Sequence, residues 1–258
     1  MLDERWIKTM HVESMRLADL HEGQEPHVLF QASTVGALID GAFEGDLTFD
    51  ELARHGDLGL GTLNHLDGEM IALDGNFYRA DVDGGIHPVP PEAKTPFAVV
   101  SHFEPTIEQH IDVPLAQIEL VDYLDSLVPS DISCAVRLDG HFDLVRARSV
   151  PAQQPPYRPL TEVVAEQHVF DLLDVSGTVL GFRFPTYVEG IEIGGFHLHF
   201  ISEDRSRGGH VLDCRSADVW ARVDVSADLH VELPPQVDLA DPDLAAATHE
   251  AIGRVEGH

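Results

Sequence analysis

Three histidines in the stretch GGFHLHFISEDRSRGGH, residues 194–210, carry the spacing of metal ligands on a β-hairpin. His197 and His199 alternate with Phe196, Leu198 and Phe200. Side chains two apart on a strand share a face, with Cα atoms roughly 6.5–7 Å apart. With EDRSRG as the hairpin tip, His210 returns on the neighbouring strand, and a 199–210 pairing gathers three imidazoles in one patch. Three nitrogens about 2.0–2.1 Å from a common point form a zinc-type site that leaves a fourth position for water or substrate. An H-x-H pair arises by chance in a chain with 16 histidines, so the return of His210 is what favours a metal. A closed structural site with Cys214 as fourth ligand is the rival, but a strand sets residues i and i+4 about 13 Å apart.

The elements around this hairpin are mostly strands. HVLFQAS reads as a strand, TVGALIDGAF as a short helix and TFDELARHG as a helix, with Thr48 as cap, Glu51 three residues on and Gly56 at its end. DLGLGTLNHLDGEMIALDGNFYRADVDGG alternates around Asp-Gly pairs and reads as hairpins. TPFAVVSHFEP is a buried strand, and PLAQIELVDYLDSLVPSD an amphipathic helix ended by Pro129. ISCAVRLDGHFDLVRARSV reads as two strands about an Asp-Gly turn. Its likeness to MIALDGNFYRADV is either a distant duplication or the shared chemistry of such hairpins. PAQQPPYRP is extended, TEVVAEQHVFDLLDV helical or mixed, GTVLGFRFP a strand, DVWARVDVSADLHVELP further strands, and PDLAAATHEAIGRVEGH a terminal helix and tail. The expected fold is α+β: a polar segment 1–25 that frays, then two similar-sized halves, 26–129 and 130–258. Both are built on mixed or antiparallel sheets with a few flanking helices.

Composition narrows the partners. Sixteen Lys+Arg against 45 Asp+Glu give a formal net charge of −29, and Lys8 and Lys94 are the only lysines. Nucleic acids and anionic membranes both require a basic face, so neither is expected as a partner. The acidic residues are spread along the chain instead of forming a tail, which points to a well-hydrated surface in a salt-adapted cytoplasm. Two cysteines make no disulfide framework, consistent with a reducing compartment. The acidic N-terminus lacks the apolar core of a signal peptide, and no apolar run approaches the roughly 18 residues of a membrane span.

Several segments together resemble alpha-acetolactate decarboxylase: HGDLGLGTLNHLDGEMIALDGNFYRADVDG, KTPFAVV, LDGHFDLVRARSVPAQQPPYRPL and GFHLHFISEDRSRGGHVLD, in the same order from about His27 to the C-terminus. The resemblance implies a two-domain α/β zinc enzyme, generally dimeric, with its sheets around the cleft that holds the metal site, that converts 2-acetolactate to acetoin and CO2. It places the zinc ligands on His197, His199 and His210, active-site glutamates on Glu69 and Glu256, an arginine on Arg148, and a pocket threonine on Thr62. The chain departs from that pattern at Pro155, where relatives often carry a basic residue, and in its acidity. It also ends two residues after Glu256.

These residue types suit the implied chemistry. Loss of CO2 from a 2-hydroxy-3-keto acid leaves an electron pair that the ketone accepts as an enediolate once its oxygen is stabilised. Two lysines offer little for a Schiff base, and no Gly-rich phosphate loop opens a helix. Zinc on neutral imidazoles supplies the electron sink as a Lewis acid. An arginine fork orients the carboxylate, and parity places Arg146 on the same face as Arg148, so residues alone do not choose between them. A glutamate with a raised pKa delivers the proton, and whether that is Glu69 or Glu256 stays open. The competing classes are another three-histidine metalloenzyme, hydrolase or oxygenase, and a non-catalytic, metal-stabilised binding domain.

Overall fold

The computed structural model describes residues 11–15, 27–188, 190–226 and 228–233. Its first strands are β1 (His11–Met15), β2 (Val28–Ala32), β3 (Leu47–Thr48), β4 (Leu58–Thr62) and β5 (Glu69–Leu73). There follow β6 (Asn76–Ala80), β7 (Ile86–Pro88), β8 (Lys94–Thr95), β9 (Phe97–Ser101), β10 (Ile107–Ile111) and β11 (Leu115–Ala116). After helix Gln117–Leu127 come the long strands β12 (Ser133–Ser149), β13 (His168–Phe184), β14 (Gly195–Ser202) and β15 (Gly208–Ser226), then β16 (Asp228–Glu232).

Two large sheets organise most of these strands, with β3 and β8 paired as a third, two-stranded one, and the architecture matches the α+β expectation. The first has eight, in the order β1-β16-β2-β9-β4-β5-β6-β7. It is mixed, because β1, β16 and β2 run parallel while the other neighbours are antiparallel. The second runs β10-β15-β12-β13-β14, and β14 also pairs with β15, so the four long strands close on themselves. Segments cross between the sheets: β10 and β11 join the second, and β16 joins the first. His11–Met15, inside the segment expected to be polar and frayed, instead pairs with β16, whose edge offers unpaired backbone groups.

The core lies in layers set by strand periodicity. In β9, Phe97 and Val99 face the layer between the sheets, and Ala98 and Val100 face the outer layer beside Phe49 and Leu52. A strand covered on both sides has no polar face to show, which is why it reads as an apolar run. Between the sheets, Leu60 and Ile71 join Leu180, Phe182 and Ile201. The opposite face of the second sheet buries Leu138, Phe142, Val179 and Phe200, with Leu120 and Leu124 of the amphipathic helix in the same cluster. Each such side chain contributes about 1.5–3 kcal/mol over its exposed state.

Local readings hold where local chemistry decides. Thr48 and Glu51 form a reciprocal capping box, although the helix they start is short, Phe49–Leu52. Asp74 and Gly75, at φ 52° and 74°, make the tight turn between β5 and β6. The second Asp-Gly pair is different. Asp139 and Gly140 lie inside the unbroken strand β12, so the expected turn and its parallel with the first hairpin are absent. A Cβ on Gly140 would lie 2.2 Å from the Asp218 carbonyl oxygen. This glycine admits the β15 backbone; it does not reverse the chain. TEVVAEQHVFDLLDV is mixed, a short helix Leu160–Val163 and one 3₁₀ turn leading into β13. The expected terminal helix lies outside the described residues.

Candidate active site

Alternation along β14 separates its side chains as expected. Leu198 and Phe200 enter the second core cluster, while Ile201 faces the layer between the sheets and His197 and His199 line a pocket there. β15 starts by pairing with β14, His199 opposite His210, and then runs along β12, with Arg148 opposite His210. The 199–210 pairing expected from the sequence is the actual register. All three histidines are buried, and their ligand nitrogens lie within 4.8 Å of one another. Ring centroids are 5.1, 5.3 and 5.4 Å apart.

The electronic state of the cluster suits a cation. His199 Nδ1 donates to the Met70 carbonyl at 2.9 Å, which fixes the tautomer and leaves the Nε2 lone pair facing the cluster. His199 Nε2 and His197 Nδ1 are buried without a hydrogen-bond partner. Burial pushes the His199 pKa down to about 3 and that of His197 well below its ordinary value, so both stay neutral. Buried, neutral, unsatisfied imidazole nitrogens are costly unless something fills their lone pairs. A divalent transition metal fits that requirement, and imidazole suits zinc among several. Cys214 is no fourth ligand, because it is buried in the other core cluster beside Val145 and Val211.

Glu69 opens β5 opposite Thr62, the last residue of β4. Its carboxylate is 3.6 Å from Arg148 Nη1 and 3.7 Å from His199 Nε2. Burial pushes its pKa up to about 7 despite the opposing pull of Arg148. Met70, the next residue, supplies the carbonyl that holds His199, so one strand end serves both groups. Arg148 is 5% exposed within the pocket, whereas Arg146 lies at the surface, bonded twice to Asp171 at 2.8 and 3.0 Å. Both point away from the buried Ala147, as parity requires, but only position 148 lies under the first sheet. Thr62 lines the pocket, with its hydroxyl donating to Gly68 O at 2.8 Å and so tying down the loop that leads into Glu69. Glu256 lies outside the described residues.

The opposite wall was not found from the sequence. Val35, Leu38, Leu66, Phe97, Leu160 and Ile193 line the same pocket. Gln31, fully buried, holds the segment before Ile193 by donating to Ile191 O at 2.7 Å. These apolar residues carry no signal that separates pocket wall from ordinary core.

Residues 29–246 match the family model described as alpha-acetolactate decarboxylase. The chain belongs to that family. A relative named alpha-acetolactate decarboxylase from Methylococcus capsulatus is 45% identical over 257 residues, covering 99% of each chain. One from Methanosarcina mazei is 44% identical over 230 residues, 89% of this chain and 80% of the relative. The crystal structure of alpha-acetolactate decarboxylase from Bacillus subtilis strain 168 superimposes with a TM-score of 0.84 at 36% identity, covering 90% of this chain and all of that one. The acetolactate decarboxylase fold therefore extends over nearly the whole described chain, with the three-histidine pocket between its two sheets.

Proposed function

We propose that this chain decarboxylates 2-acetolactate to acetoin and CO2, with zinc held by His197, His199 and His210. The observation that carries the reading is the convergence of three buried histidines, two of them held neutral by burial, with Glu69 and Arg148 in one pocket. Bound zinc supplies Lewis-acid stabilisation of negative charge developing on the substrate's oxygens. The Arg148 guanidinium offers its planar two-donor fork to the substrate carboxylate and orients it for departure as CO2. Glu69, its pKa pushed up to about 7 by burial, carries a proton on a substantial fraction of molecules at neutral pH and passes it to one face of the enediolate carbon. Solvent then reprotonates the carboxylate. The wall of Val35, Leu38, Leu160 and Ile193 keeps water from the alkyl side of the substrate.

Glu256 is carried over from the resemblance as a second acid at this pocket. The proposed setting is the cytoplasm of a salt-adapted cell, supported by the net charge of −29 and the two free cysteines. The homodimer is likewise carried over from the resemblance. Acetoin formation from 2-acetolactate, with and without chelator, tests the activity. Turnover should vanish on chelation and return with added zinc. Chelator-insensitive turnover would remove the metal from the mechanism, and a metal-loaded protein that forms no acetoin would point to another three-histidine chemistry.

A further inference from the structure

The three ligands meet at a short stretch of ladder. β14 and β15 pair directly at three positions, His199 with His210, Phe200 with Gly209 and Ile201 with Gly208. The faces of the two strands are fixed by the long ladders of β14 with β13 and of β15 with β12, so all three histidines are turned to the pocket by those neighbours. What the tip at residues 202–207 sets is the local approach of the two strand ends that carry His199 and His210.

Ser202 is at the centre of that tip and is 4% exposed. Its hydroxyl accepts from two successive backbone N–H groups, Ser206 at 3.1 Å and Arg207 at 2.9 Å, while donating to Asp204 Oδ1 at 2.7 Å. Its own N–H donates to Arg207 O at 2.8 Å, and its carbonyl accepts from Arg205 N at 2.9 Å. Asp204 in turn accepts from Ser206 N and Ser206 Oγ at 3.0 and 2.7 Å. The closed tip is docked on the first sheet, where Ile86 N donates to Ser206 O at 3.3 Å and Gly208 N to Gly84 O at 3.0 Å.

We infer that Ser202 is a positioning residue for the three-histidine centre, its hydroxyl holding the hairpin tip closed and with it the spacing of His210 from His199. The inference rests on reading those histidines as a metal site. Without the hydroxyl, the Ser206 and Arg207 N–H groups lose their shared acceptor, and the tip can relax into other turn geometries with His210 displaced. Groups that orient metal ligands without touching the metal commonly change affinity by about 10–100-fold, and that is the loss expected for Ser202→Ala.

The test measures zinc affinity by chelator competition and the visible absorption of the cobalt(II)-loaded protein. Ser202→Ala should weaken zinc binding by roughly 10–100-fold and alter the cobalt bands, and Ser202→Thr, which keeps the hydroxyl, should restore both. Asp204→Asn, at an exposed position, should weaken binding in the same direction and carries the test should Ser202→Ala not fold. Thr48→Ala breaks the capping box on the far layer of the first sheet, lowers stability comparably and should leave affinity and spectrum unchanged. Wild-type affinity and spectrum in Ser202→Ala and Asp204→Asn would overturn the inference, as would an equal loss in Thr48→Ala. Wild-type protein that binds neither zinc nor cobalt would instead sink the metal centre itself, and the inference with it.

Discussion

Replacing His199 with alanine separates two contributions that the structure makes distinct. The first is independent of metal. His199 is fully buried and its Nδ1 is the donor to Met70 O. Removing it deletes that buried hydrogen bond and the packing of the ring, at a cost of about 1–3 kcal/mol. A chain of this size loses about 2–4 °C in Tm per kcal/mol, so the metal-free variant should melt roughly 2–12 °C lower. The second contribution is linkage. Zinc at about 1,000 times its Kd stabilises a folded protein by about 4.1 kcal/mol, which raises the wild-type Tm by roughly 8–16 °C. With one of three imidazoles gone and affinity a thousandfold weaker, the same zinc concentration leaves about 0.4 kcal/mol and a rise of about 1–2 °C. Calorimetry with and without zinc reads both numbers, and metal analysis after dialysis gives the stoichiometry. A variant that keeps the wild-type rise and one zinc per chain would refute His199 as a ligand, whatever its metal-free Tm.

Arg148→Lys keeps a charge beside Glu69 but loses the two-donor fork, so kcat/KM should fall roughly 10–100-fold, or about 1.5–3 kcal/mol. Arg146→Lys should change little, and an undiminished kcat/KM in Arg148→Lys would take the carboxylate away from that residue. Gly140→Ala drives a methyl group to 2.2 Å from Asp218 O, whereas Gly75→Ala costs only the left-handed conformation, about 1–2 kcal/mol. Urea midpoints should therefore drop further for Gly140→Ala, and the reverse order would contradict its placement inside a strand. The Glu51 pKa lies below its ordinary 4.5 because Thr48 donates to it through side chain and backbone. A lowered carboxyl pKa gives stability that is full above the ordinary value and lost as pH falls through the folded value. The Tm gap between wild type and Thr48→Ala should accordingly be widest near neutrality and narrow below pH 4.5, and a gap that widens in acid would contradict the capping box. Finally, a net charge of −29 repels itself across the surface. Raising KCl from 0.1 to about 1 M, which shortens the screening length from about 10 to 3 Å, should raise the Tm, and a fall would remove the salt-adapted reading.

The resemblance placed Glu69, Arg148 and Thr62 in the site, and the residues alone could not. Glu69 follows an Asp-Gly pair like any exposed turn residue, and the sequence offers no sign that β5 carries it beneath the second sheet. Arg146 and Arg148 obey one parity rule and differ only in what covers them. The two Asp-Gly pairs were read alike because their chemistry is alike. What separates them is the Asp218 carbonyl, which approaches Gly140 from a strand 78 residues further along the chain (218 − 140).

Period-two alternation and the length of one turn are local properties, so the sequence by itself determined the shared face of His197 and His199 and the return of His210 beside them. The same holds for the Thr48 capping box and the twofold-buried run of β9. Tertiary structure decided what surrounds those imidazoles. The Met70 carbonyl that fixes the His199 tautomer is 129 residues away in sequence, and the apolar wall comes from residues as scattered as Val35, Leu66, Phe97, Leu160 and Ile193, which contribute nothing distinctive to the pattern. Proximity across such separations is set by which surfaces two sheets bury against each other, and burial in turn sets the neutral imidazoles and the raised Glu69 pKa. Those are properties of a cleft, and no single segment of this chain contains one.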